Sequence, residues 1–377
     1  MPLPHLLPLY FALLVCLPLA VIFTVTSPRT AVTVAVTQPA FLVVRKPHNA
    51  PETLPIITIQ PPASRDDESL LRLASQVGPN PRPESPKKLA FLFLTTDSLP
   101  LAPLWEIFFN QSPKNRNLYN IYINAGDSGR KPDPRFSGVF ENRVIPSSKP
   151  AFRHTPTLIS AARRLLAHAL LDDPSNYVFI LLSPSCVPLH SFNFTYTFLV
   201  SSAKSYIEIL EDEPGWYDRW AARGQYAMLP EVRPEDFRIG SQFWALTRSH
   251  ALMVARDVEL WTKFNKPCVR RNVCYPEEHY FPTLVNMRDP HGQGRVPATL
   301  THVDWSVAAG GHPRTYRPSE VGSGLIRRLR RARPRYGESP AEARNDPFLF
   351  ARKFPPAAIG PLVDMAYKVI FNDSAVL

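Results

Sequence analysis

Apolar residues fall in short unbroken runs along the chain, separated by segments of helical period. The run Leu89-Ala-Phe-Leu-Phe-Leu-Thr95 lacks polar alternation, the mark of a strand buried on both faces in a parallel sheet. Residues 101–109 predict a short helix. Asn117-Leu-Tyr-Asn-Ile-Tyr-Ile123 predicts a second strand, ending at a Gly-Asp-Ser-Gly turn over 126–129. Over 157–171, Leu158, Ala162, Leu165, Leu166 and Leu170 recur on one helical side, and Arg163 and Arg164 fall off it. Tyr177-Val-Phe-Ile-Leu-Leu182 predicts a third buried strand, which runs into Ser183-Pro-Ser-Cys-Val-Pro-Leu189. Further on, the pattern predicts strands over 243–246 and 298–305 and helices over 249–264 and 278–285. A short ordered stretch over 346–354 and a closing helix over 357–370 complete it. Strands alternating with helices imply an α/β sheet with ligands bound beyond the strand ends, which puts the 183–189 turn where a nucleotide binds. No G-x-G-x-x-G and no P-loop occurs, which argues against dinucleotide-binding and ATP-hydrolysing classes.

Ahead of residue 88 the pattern changes. Residues 6–25 carry no charge and are rich in Leu, Val, Ala, Phe and Ile, about the 20 residues that a membrane-spanning helix needs. Pro8 and Pro18 interrupt the stretch and no Lys or Arg precedes it, so a cleaved signal peptide stays open beside a retained signal anchor. Its length exceeds the usual signal-peptide core of about 7–15 residues, which favours the anchor. Either way the rest enters a secretory lumen. The expected division is an anchor over 1–26, a Pro-, Thr- and Ser-rich stem over 27–87 and a lumenal body over 88–377. Residues 30–44 offer an alternative strand, against which Pro39 and the later prolines argue.

The formal charge of +11 suits a negatively charged partner: nucleic acid, an anionic membrane face or a nucleotide diphosphate. The run Arg327-Arg-Leu-Arg-Arg-Ala-Arg-Pro-Arg335 has the look of a nucleic-acid patch. No nucleic-acid fold signature accompanies it, so it reads as a solvated basic loop. Asn193-Phe-Thr195 and Asn372-Asp-Ser374 are glycosylation sequons; Asn110-Gln-Ser112 is a third, impaired by Pro113. Cys16 lies in the apolar span, and Cys186, Cys268 and Cys274 follow it. Three lumenal cysteines leave one unpaired, and Cys268 with Cys274 could close a short loop. No second Cys/His pair has the spacing of a zinc site.

That loop precedes Cys274-Tyr-Pro-Glu-Glu-His-Tyr-Phe-Pro-Thr283, where Glu277 and Glu278 adjoin an imidazole and aromatic rings. One reading is a helix start, with Pro276 in the first turn and acids favoured by the helix dipole. The other is a partly desolvated carboxylate fit to take a proton from a hydroxyl. The segment alone does not choose between them.

In this order, seven short motifs resemble the plant branch of the core-2/I-branching β-1,6-N-acetylglucosaminyltransferase-like glycosyltransferases. They are Leu89–Thr95, Arg-Arg-Leu-Leu-Ala from Arg163, Ser-Cys-Val-Pro-Leu from Ser185, Gly-Ser-Gln-Phe-Trp from Gly240, Tyr-Pro-Glu-Glu-His-Tyr from Tyr275, Val-Asp-Trp from Val303 and Leu-Phe-Ala-Arg-Lys-Phe from Leu349. The resemblance spans the body from about residue 88 onward. It implies a GT-A-like fold with a mixed, mostly parallel sheet in a single-pass type II Golgi membrane protein. It also implies inverting transfer from a UDP-sugar to a glycan, with no divalent metal and no nucleic-acid partner. The 183–186 turn agrees, since it lacks the Asp-x-Asp of metal-using relatives, and the triplet Glu211-Asp-Glu213 reads as a solvated face. Without metal, the departing diphosphate needs fixed cations. The resemblance puts Lys353 and Arg314 in that role, Cys186 beside the nucleotide as the unpaired thiol, and Glu278 as general base, with Glu277 a bystander. Trp305 and Arg219 become acceptor contacts.

The chain also departs from its resemblance. Pro184 stands where an acid usually precedes the cysteine, Ala162 where an acid precedes the paired arginines, and Phe152-Arg153 where Trp-Gly is usual. These departures keep open a non-catalytic Golgi scaffold or glycan-binding relative. The donor stays open too: N-acetylglucosamine is implied by animal relatives, and glucuronic acid, on arabinogalactan, is an alternative for plant ones.

Overall fold

The apolar run at 88–94 becomes the inner strand of a six-stranded mixed sheet, and both of its faces are covered. The computed structural model describes residues 67–81, 84–126, 135–146, 148–307, 312–337 and 344–376. The expected anchor over 1–26, the stem over 27–66 and the 126–129 turn beyond Gly126 lie outside the described residues. In chain order the first elements are α1 (Asp67–Ala74), β1 (Lys88–Leu94), α2 (Ala102–Phe109), β2 (Tyr119–Asn124), α3 (Thr157–Asp172), β3 (Asn176–Leu182), β4 (Val187–Pro188), α4 (Phe192–Ser202) and β5 (Ser205–Tyr206). Next come α5 (Trp216–Trp220), β6 (Ala245–Thr247), α6 (Arg248–Arg256), α7 (Glu259–Phe264), α8 (Pro276–Arg288) and β7 (Arg295–Val296). The last are β8 (Thr301–Val303), α9 (Ser323–Arg331), β9 (Phe350–Arg352) and α10 (Ile359–Met365).

The large sheet runs β2-β1-β3-β6-β5-β7, and a small one runs β4-β9-β8. In the large sheet β1 is parallel to β2 and β3, β5 is parallel to β7, and β6 is antiparallel to both neighbours. Successive side chains of a strand point to opposite faces. Leu89, Phe91 and Phe93 therefore pack with Trp105, Phe108 and Phe109 of α2, while Ala90, Leu92 and Leu94 pack with α3. Burial on both sides is why β1 shows no alternation.

Three expectations change. The helix expected over 249–264 is two, because the Asp257 carboxylate accepts from the Leu260 and Trp261 N–H groups and starts a new helix. The strand expected over 298–305 shortens to β8, as the chain leaves the large sheet at β7 and joins the small one. Arg163 and Arg164, off the apolar side of α3, are buried as well. The Arg163 guanidinium lies 4.6 Å over the Trp261 ring and donates to the Asp257 carbonyl, and Arg164 donates to Asp67 at 2.8 Å. Within the stretch expected as stem, α1 buries Leu70, Leu71 and Ala74 and packs on α3 and α6.

Candidate active site

A cleft of about 750 Å³ opens where the end of β3, the start of α8 and the end of β9 converge. Gly240 makes the convergence possible. A Cβ there would stand 2.0 Å from the Glu208 carbonyl and 2.9 Å from the Pro282 ring, so only glycine lets the segment after β5 lie against α8. Its N–H donates to the Glu278 carbonyl at 2.9 Å. The Gly-Ser-Gln-Phe-Trp motif is thus a crossing point, which brings Glu208 and Glu278 into one cleft.

Glu278 lies in the first turn of α8, about a quarter exposed, with the Arg219 guanidinium 3.5 Å from its carboxylate. Burial pushes its carboxyl up to about 7; the adjacent Glu277 adds to the rise, and Arg219, Arg153 and Arg352 oppose it. Arg219 is steered by the Tyr275 ring, 5.2 Å from its guanidinium carbon. Glu277, beside it in the first turn, lines the same cleft, is 4% exposed, and its Oε2 has no hydrogen-bond partner. Burial pushes it, too, up to about 7, against Arg153 and Arg223. Glu208 is likewise pushed up to about 7, by burial first and then by Glu213 and Glu278, against Arg335. Glu213, expected on a solvated face, lines the cleft and pairs with Arg335 at 2.6 Å.

Cations line the same cleft. Lys353 follows β9, and its ammonium is pushed down by burial and by Arg352 and Arg153. Arg352 lies 4.5 Å over the Phe243 ring, with a buried Nε that lacks a partner. Arg153 reaches the cleft from the loop before α3 and contacts His312. No carboxylate pairs with Arg153, Arg352 or Lys353 among the described residues. The half-buried Arg352 and Lys353 and the exposed Arg153, none of them so paired, form a seat for a multiply charged anion.

Two expected ligands are not in the cleft. Arg314 is held by Asp304 at 3.4 Å and by Glu320, and it lines a neighbouring cavity of about 400 Å³. Its commitment to two carboxylates leaves it no spare charge for a diphosphate. Cys186 is the free cysteine, fully buried under the turn; its sulfur accepts from the Ser183 N–H at 3.4 Å, and Ser183 alone of that turn faces the cleft. Trp305 does line the cleft and is 52% exposed, which excludes core packing. Cys268 and Cys274 are bonded, closing the loop just ahead of α8. The loop is tied to the α5 region by Val269 and Arg270, whose N–H groups donate to the Ala222 carbonyl. Asn193 and Asn372 are exposed. Sequence reasoning missed Arg153, Glu208 and Arg352 as site residues. Arg153 had left a signal, as a departure from its relatives' Trp-Gly, and Arg352 stands beside Lys353 in the motif from Leu349.

Comparison with known proteins shows the family. Residues 89–330 match the Core-2/I-Branching enzyme family. The chain is also 32% identical over 329 residues to Glycosyltransferase BC10 of Oryza sativa subsp. japonica, covering 78% of this chain and 80% of that protein.

Proposed function

Since the chain belongs to the core-2/I-branching enzyme family of glycosyltransferases, we propose that its cleft moves a sugar from a UDP-sugar to a glycan hydroxyl with inversion. N-acetylglucosamine is the first candidate for the sugar. In this reading the Glu278 carboxylate takes the proton of the attacking acceptor hydroxyl as the sugar–phosphate bond opens on the far side. The charge that develops on UDP is met by Lys353, with Arg153 and Arg352 in place of the occupied Arg314. Trp305 offers its exposed face to the acceptor ring, and Arg219 holds the base in line. The observation that carries the reading is a half-buried Glu278 carboxylate lining one cleft with a cluster of cations that have no ion-pair partner among the described residues. In this reading no divalent metal takes part, since the turn after β3 carries no carboxylate to hold one and Lys353, Arg153 and Arg352 supply the positive charge. A Golgi-lumenal body behind an N-terminal anchor fits the disulfide, which needs an oxidising compartment.

The test is UDP release by the full-length protein across a panel of UDP-sugars, with and without chelator. Acceptor-dependent release that resists chelation is expected. Glu278→Gln should lower it about 10²-fold or more while UDP affinity stays. No release from any donor, or an unaffected Glu278→Gln variant, would sink the reading.

A further inference from the structure

The basic run at 327–335 has no part in the chemistry above, yet it stands beside the cleft. α9 buries Leu325, Ile326 and Leu329 and turns Arg327, Arg328 and Arg331 outward. Residues three and four apart on a helix are neighbours, so Arg331 adjoins both Arg327 and Arg328, and their like charges repel. The helix dipole favours a cation in the last turn but does not account for three on one face. No carboxylate pairs with any of the three among the described residues. Such a face is stabilised by an anion from outside the chain.

Position says which anion. The neighbouring cavity, lined by Arg328 and Leu329 of α9, shares Trp305, His302, Val303 and Ala332 with the cleft. A continuous groove therefore leads from Glu278 across the exposed Trp305 ring to α9. Inside it Arg314 is balanced by Asp304 and Glu320, so the unbalanced charge begins at Arg328, which lines the groove, and continues on the exposed Arg327 and Arg331 just outside it. We propose that this groove binds an anionic part of the acceptor: a saccharide chain bearing uronate carboxylates, whose acceptor ring stacks on Trp305 while carboxylates further along meet Arg327, Arg328 and Arg331. The proposal rests on reading the cleft as the acceptor site and names the acceptor's class. The groove runs into the cleft, which suits a chain reaching the base better than a flat membrane surface.

The experiment measures binding without donor, so a catalytically silent protein leaves it readable. Full-length protein is applied to immobilised polygalacturonate and eluted with salt. It is compared with the triple variant Arg327→Gln/Arg328→Gln/Arg331→Gln. A control, Lys114→Gln/Arg116→Gln/Arg143→Gln, loses the same charge at exposed positions outside both cavities. The α9 variant should bind at least tenfold more weakly and elute at lower salt, with the melting temperature unchanged and the control close to wild type. Equal weakening by both variants would overturn the proposal, reducing the effect to net charge. So would tighter capture by phosphatidylserine vesicles than by polygalacturonate, lost on the same substitutions, since that makes α9 a membrane contact.

Discussion

Glu277 and Glu278 leave one helical turn about 100° apart, and that angle separates their environments. Glu277 points into the protein, where its Oε2 finds no partner; Glu278 faces the cleft and Arg219. Both carboxyls are pushed up to about 7, and Glu277 is one cause of the rise at Glu278. Adjacent carboxyls so placed titrate as a pair. A base must be ionised, so turnover should climb along an acidic limb with an apparent midpoint near 7. Glu277→Gln removes a like charge but leaves the burial, which is the larger cause. The limb should therefore move to lower pH by a fraction of a unit up to about one. The kcat/KM profile of the two proteins checks this. An unmoved limb would mean that burial alone sets the Glu278 carboxyl.

At the scale of elements, α1 shows how a segment that reads as linker becomes part of the body. Asp67, its first residue, pairs with Lys149 at 2.6 Å and Arg164 at 2.8 Å, and Arg164 is 2% exposed. Asp67→Asn strands the Arg164 charge in the interior. Breaking a buried pair costs about 3–5 kcal/mol; Asp67 is 28% exposed, so a loss of about 2–3 kcal/mol is expected from urea unfolding. A loss below about 0.5 kcal/mol would show that α1 is held by Leu70, Leu71 and Ala74 alone. The sequence carried the strands and long helices whose signal is their own composition: β1, β3 and α3. It also pointed to Glu278 and Lys353, through short motifs set in order. What it hid depends on distant partners. Nothing local to Arg163 and Arg164 announces Asp67 or Trp261, and nothing near Arg314 announces that Asp304 and Glu320 will neutralise it. Asp257 was hidden for another reason: a cap within an apolar helical period is masked by the period.

Across the whole molecule, burial acts on two sets of groups with opposite signs. His168 is pushed down to about 4, and His190, His250, His279, His302 and His312 are also lowered, each by burial first. In the unfolded chain these imidazoles protonate near 6.5. Below that pH, unfolding takes up protons that the folded state refuses, and stability falls as pH falls. Glu208, Glu277 and Glu278 work the other way. Folded, they keep their protons up to about 7, whereas the unfolded chain releases them from about 4.5, so stability falls as pH rises across that window. Between pH 5 and 6.5 the two sets oppose each other, so single substitutions, not the net slope, separate them. His168 contributes stability that is lost as pH falls from 6.5 to 5, and Glu277 contributes stability that is lost as pH rises from about 4.5 to 7. Urea titrations at half-unit steps measure the slope. His168→Asn should flatten the acid side by about one proton, and Glu277→Gln should steepen it by as much. A His168→Asn variant with the same slope as the parent would contradict a neutral, buried His168 in this fold.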